Sequence, residues 1–229
     1  AFFSLVSRKR GQIADAKFFP EIEKIQARVL VENAIAFRET CQTKQVHDTL
    51  KFADGIKTIG EKYADYDIIA LGNACATDTY YISKRWQSAI AQAQEGRKLY
   101  DGAQEKNFDN ILLMLRTEIM CRALLHQENE FKQTAAQAMK RVYNKQFTQP
   151  EVVCTLLEGI STGQGILHMK EAPETLEKAR DYFDQAQKEH AQKPAFRFIQ
   201  IARSGLQSAQ HLKIDTSPYV KEAEEALRI

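Results

Sequence analysis

The chain has 229 residues, with 32 Lys and Arg against 30 Asp and Glu and a formal net charge of +2. That balance gives no broad field for holding nucleic acid or an anionic membrane surface, so neither is an expected partner of the body of the chain. At 44% apolar and 27% charged residues the chain reads as globular, long enough to bury a substantial core, and its excess of Ala, Gln, Lys, Glu and Leu over β-branched residues points to an all-α fold.

The N-terminus, "AFFSLVSRKR", puts Arg8, Lys9 and Arg10 behind a short apolar run. Residues 1–16 are therefore read as a tail, either flexible or flanking a membrane anchor outside this chain on its cytoplasmic side. Residues 17–229 are read as one helical domain. No run of 18 apolar residues occurs in the sequence.

In chain order, the apolar periodicity predicts five helical hairpins. They are 20–43 with 45–65, 67–82 with 83–101, 108–127 with 130–146, 150–168 with 173–190, and 194–212 with 217–228. First helices such as "FDNILLMLRTEIMCRALL" are apolar almost all round, which suits a helix packed on several sides. Second helices such as "TLEKARDYFDQAQKEH" are amphipathic, which suits a solvated outer layer.

The five prolines, in "FFPEIE", "TQPEVV", "EAPETL", "QKPAFR" and "TSPYVK", all read as helix openers, because the ring presets the helical φ and a first-turn residue needs no N–H. Pro150 and Pro194 are 44 residues apart, and Pro173 and Pro218 are 45 apart, enough for two helices with short connectors. Ala89, Ala135, Ala179 and Ala223 follow a similar period on second helices. Gly72, Gly163 and Gly205 precede three of them, and small residues at such positions let the two helices of a hairpin approach closely.

With Gly72 and Gly163 on first helices and Ala179, Phe183 and Ala186 on a second, the chain resembles the tetratricopeptide-like helical-repeat superfamily over roughly residues 66–229. The resemblance implies antiparallel hairpins stacked into a right-handed α-solenoid, here with a period of about 44 rather than the usual 34. It also implies that a partner protein or peptide lies in the concave face lined by first helices. Protein-protein interaction or scaffolding is accordingly the expected function.

Cys41, Cys75, Cys121 and Cys154 are widely spaced within helical patterns and include no C-x-x-C pair. They are read as free thiols of a reducing compartment, so a cytoplasmic location is expected, or the cytoplasmic face of a membrane if the tail flanks an anchor. The chain holds no Glu-x-x-His, no His-x-x-x-His and no Asp-Asp, and "STGQGIL" lacks the lysine of a phosphate loop. No catalytic, cofactor-binding or metal-binding residue is expected, and the chain is read as a non-enzyme that needs no cofactor. "TYYISKRW" brings Tyr80, Tyr81 and Trp86 beside Lys84 and Arg85; stacking on single-stranded nucleic acid is weaker here than a hydrophobic seam at a hairpin turn, because no basic groove continues it.

Arg116, Arg122, Arg197 and Arg203 stand on mainly apolar first helices and are the expected partner-binding residues, since such an arginine must find a carboxylate or open water. Pairing with a neighbouring Glu is the competing expectation. His126, His168 and His211, 42 and 43 residues apart, are placed where first helices end, with Pro173 opening the next helix. Two other functions stay open. One is a sensory domain of a larger transcriptional or signalling regulator, suggested by the non-Met start and the uncapped "EALRI" end. The other is a helical enzyme, which would need a deep pocket of clustered titratable groups.

Overall fold

The computed structural model describes residues 25, 46–101, 108–144, 150–189, 209–210 and 212–226. Among them the fold is all-α, with no strand. The helices are α1 (Val46–Lys62), α2 (Tyr66–Ile82), α3 (Trp86–Asp101), α4 (Phe108–Leu124), α5 (Glu128–Tyr143), α6 (Pro150–Ile166), α7 (Ala172–Glu189) and α8 (Ser217–Ala226). These match the predicted segments to within a few residues. The tail 1–16, the helix expected at 20–43 apart from the exposed, helical Ile25, and most of 194–212 lie outside the described residues.

Two kinds of helix alternate. In α5 the buried residues are Phe131, Thr134, Ala138 and Val142, a single stripe at helical spacing, and α7 buries Leu176, Ala179, Phe183 and Ala186 in the same way. By contrast α4 buries ten residues from Ile111 to Ala123, on every side of the helix. The reason is its neighbours: α4 packs against α2, α3, α5 and α6. In the same way α2 packs against α1, α3 and α4, and α6 chiefly against α4 and α7. Burial of a side chain such as Phe183 or Leu176 stabilises the fold by about 1.5–3 kcal/mol.

Pro150 opens α6, while Pro173 and Pro218 are the second residues of α7 and α8, as expected of helix openers. Asp65 caps α2, its carboxylate accepting from the Ile68 N–H at 3.2 Å.

The glycines pack differently from expectation. A Cβ on Gly72 would fall 2.7 Å from Lys57 Cγ and 2.9 Å from the Ala53 carbonyl, so Gly72 admits α1, the helix before its own, rather than α3. Gly163 likewise faces Phe131 of α5 and Ala123 of α4, at 2.5 and 3.2 Å, not α7. Nor does the alanine series keep register: Ala89 and Ala179 are buried, but in α5 the fully buried small residue is Ala138 and Ala135 is half-buried. Gly205 and the side chain of Ala223 lie outside the described residues.

What does recur is the joint. Lys84, His126, His168 and Lys213 all have φ between 54° and 59°, the left-handed region, and each follows a first-helix segment. At each, two backbone bonds close the helix end: His126 N–H to Ala123 O at 3.0 Å with Gln127 N–H to Arg122 O at 2.9 Å, and His168 N–H to Gly165 O at 3.1 Å with Met169 N–H to Gln164 O at 2.8 Å. The same pair forms at Lys84 with Arg85 and at Lys213 with Ile214. This is a Schellman motif, which satisfies carbonyls a helix end otherwise leaves without partners. The recurring histidines therefore stand at a backbone position, one of those where histidine is enriched over bulkier residues. The fourth member is Lys213 and not His211, which lies outside the described residues.

A left-handed conformation costs a residue with a Cβ about 1–2 kcal/mol, and glycine avoids that cost while losing more chain entropy on folding. Replacing exposed His168 by Gly is therefore expected to stabilise the protein by about 0.5–1 kcal/mol in urea unfolding. Replacement by Val is expected to destabilise it by a similar or larger amount.

Candidate functional site

Since α4 has neighbours on four sides, its polar residues have to find partners there. Three consecutive residues reach three different helices. Arg116 donates through Nε to the main-chain carbonyl of Thr155 in α6 at 3.1 Å. Thr117 donates through its hydroxyl to Asp78 Oδ1 in α2 at 2.9 Å. The Glu118 side chain, 1% exposed, is the acceptor for α3: Arg97 Nη2 pairs with its Oε2, and Gln94 Nε2 donates to Oε1 at 3.1 Å.

Glu118 also takes both Nε and Nη2 of Arg122, one turn on, at 2.9 and 2.6 Å, while Arg122 Nη1 donates to Gln127 Oε1 at 3.2 Å. One buried carboxylate thus holds two arginines whose side chains are only 15% and 12% exposed. Arg122 is spent on the interior of the chain. Arg116, half-buried, meets no carboxylate within ion-pair distance among the described residues, and Arg197 and Arg203 lie outside them.

On the exposed side of α2, α4 and α6 the half-buried residues fall into short rows: Leu71, Cys75 and Asp78; Leu113 and Arg116; Thr155 and Thr162. Spacings of three, four and seven residues put each row on one helix face. Glu158, between Thr155 and Thr162 in the sequence, is buried, with the Cys154 thiol 3.9 Å from its Oε1.

Tyr80, Tyr81 and Trp86 pack around Ala89, Ile90 and Cys121, and Arg85 lies 4.9 Å from the centre of the Tyr80 ring. This is a hydrophobic seam at the α2–α3 joint. Burial pushes the Tyr81 hydroxyl above the ordinary phenol value, and the Arg116 guanidinium pulls it part of the way back.

One motif is easy to pass over in the sequence: Gly159-Ile160-Ser161-Thr162-Gly163 matches G-x-S-x-G. A nucleophile elbow needs the serine exposed on a turn between strand and helix. Here all five residues lie inside α6, and Ser161 is fully buried and donates to the Ala172 carbonyl at 2.7 Å. Its hydroxyl ties α6 to the start of α7. Glu118, too, has a sequence signal, a Glu four residues before Arg122 on an otherwise apolar helix. Gly159 has none outside its contact with Arg116.

Cys75, Cys121 and Cys154 carry thiols and not disulfides. Burial, reinforced by the Asp78 and Glu118 carboxylates and opposed by Arg122, pushes the Cys121 thiol from 9.0 up to about 12. Among the described residues no group of three or more His, Cys, Asp or Glu is arranged to hold a metal ion, and no helix is long and apolar enough to cross a membrane.

Removing Glu118 takes away the buried carboxylate that Arg97 and Arg122 share. Glu118→Ala is expected to cost about 3–5 kcal/mol in chemical denaturation, far beyond the ~0.5 kcal/mol of an exposed pair such as Glu128 with Lys132. The raised thiol gives a second prediction: at pH 8 the thiolate fraction of Cys121 is about a thousandfold below that of an ordinary thiol. In native protein treated with iodoacetamide and mapped by mass spectrometry, half-exposed Cys75 is expected to be alkylated well before Cys121.

No family model, curated protein or solved structure matches the chain.

Proposed function

We propose that the chain is a tetratricopeptide-like interaction domain, in which the hairpins α2–α3, α4–α5 and α6–α7 stack as a right-handed solenoid and a segment of a partner protein lies across α2, α4 and α6. The observation that carries this reading is the recurrence of the left-handed joint at Lys84, His126, His168 and Lys213, at intervals of 42, 42 and 45 residues. A repeated joint between an enclosed helix and an amphipathic one is how a stacked array reuses a single hairpin. The rows on α2, α4 and α6 support it further. They mix apolar Leu71 and Leu113 with Asp78, Arg116 and threonines, the composition of a surface that binds through contacts spread along its length.

The test is quantitative affinity capture from the source cells with three baits: the wild-type chain, Leu113→Glu on the proposed groove, and Asp181→Lys on the exposed side of α7. Each bait is first checked for an unchanged helical spectrum and melting transition. A protein held by the wild-type and Asp181→Lys baits, but recovered about tenfold less on Leu113→Glu, is the expected result. Capture indifferent to Leu113→Glu, or no enriched protein, rejects the reading.

A further inference from the structure

Arg116 is held in place without being neutralised. Its Nε is fixed on the Thr155 carbonyl, and its Cγ occupies the space that a Cβ on Gly159 would fill, 2.6 Å away. The glycine bares the α6 backbone at that turn, so the arginine stem lies against it. A guanidinium has five N–H donors. One is used here, and the others make no hydrogen bond with a described residue. The contrast with Arg97 and Arg122, both locked on Glu118, is sharp.

Tyr81 of α2 lies near enough to Arg116 for the guanidinium to favour its ionised form, and its hydroxyl also makes no hydrogen bond with a described residue. The fixed fork is on α4, the middle helix of the three, and the phenol is on neighbouring α2, both half-buried, where a charge-assisted bond is stronger than in open water.

We propose that Arg116, with Tyr81 beside it, receives the side-chain carboxylate of an Asp or Glu in an extended partner segment lying across α2, α4 and α6. The proposal rests on the interaction-domain reading and names the chemistry of the partner. A side chain fits better than a chain terminus because Arg116 is on the central helix, with binding surface on α2 to one side and α6 to the other. A carboxylate fits better than a phosphate because Asp78 is close enough to act on Tyr81, and a dianion would meet that charge as well as the arginine.

The probe is a random dodecapeptide library displayed on phage and selected on the full chain. The displayed peptides are fused to the coat protein at their C-termini and so present no free terminal carboxylate. Selected peptides are made N-acetylated and C-amidated and titrated by fluorescence anisotropy. An Asp or Glu at one fixed register is expected, with its change to the amide weakening binding about tenfold. Arg116→Gln weakens binding by a similar factor, and combining the two changes weakens it little beyond either alone, as for two halves of one contact. Tyr81→Phe, which alters a single hydroxyl, weakens binding a few-fold and provides the readout if Arg116→Gln lowers the melting temperature.

Peptides with no acidic residue in register, or equal affinity for wild type and Arg116→Gln, overturn the assignment of Arg116. If such peptides are still lost on Leu113→Glu, the groove stands and only the carboxylate site falls. Tighter binding when phosphoserine replaces the acidic residue overturns the carboxylate in favour of a phosphate. If no peptide is selected, the interaction-domain reading fails along with the inference.

Discussion

The structure turns on one stretch of α4, Arg116-Thr117-Glu118. Successive residues of an α-helix point about 100° apart, so three in a row span a little over half of its circumference. Each reaches a different neighbour, Arg116 to α6, Thr117 to α2 and Glu118 to α3, while Arg122 completes the turn toward Gln127 at the joint with α5. Thr117 and Glu118 are buried and have no water to fall back on, so their polar groups are met by particular atoms of adjacent helices, while half-buried Arg116 is anchored through Nε alone. Apolar contact between α4 and its neighbours supplies the larger part of the stabilisation and tolerates small sliding. Directional contacts at three successive positions do not, and they restrict α4 to one rotation and one height among its neighbours.

The joints explain why α4 is enclosed at all. Each first helix ends in a residue whose left-handed backbone reverses the chain within a few residues, so the following helix returns along the one it has left. Ala64, with φ 51°, performs the same reversal between α1 and α2, on the other kind of connection. No joint among the described residues uses glycine, although glycine would be the least strained choice. The backbone strain at these positions is offset by the buried carbonyls the motif satisfies, and by the apolar stripes of α5 and α7 that it turns inward.

The elements themselves were legible in the sequence because their causes are local. Prolines open helices wherever they fall, an apolar stripe at 3.6-residue spacing folds as a helix in almost any context, and a helix apolar all round has to be enclosed. His126 and His168 marked two joints correctly because a left-handed position limits which residues fit. The next joint falls at Lys213, two residues after His211, which itself lies outside the described residues. Gly72 and Gly163 were assigned to the wrong neighbours. Periodicity says that a helix face is small, but which helix approaches it depends on the three-dimensional packing, and here helices earlier in the chain make the contact.

Site residues are less legible still, and Arg116 and Arg122 show why. They are the same residue type, six positions apart, on one apolar helix, and sequence pattern treats them alike. A carboxylate four residues earlier and an acceptor at the joint engage Arg122 on all sides, so its charge is a component of the core. A glycine in a different helix, 43 positions along the chain, allows Arg116 to be anchored through one nitrogen with no counter-charge among the described residues. What separates a structural arginine from one available to a ligand is the tally of acceptors around its five N–H groups, and that tally depends on residues distant in sequence. Gly159 is therefore as much a part of the candidate site as Arg116, although it has no functional group: a Cβ there would fall 2.6 Å from the Arg116 Cγ and push the guanidinium off the α6 backbone.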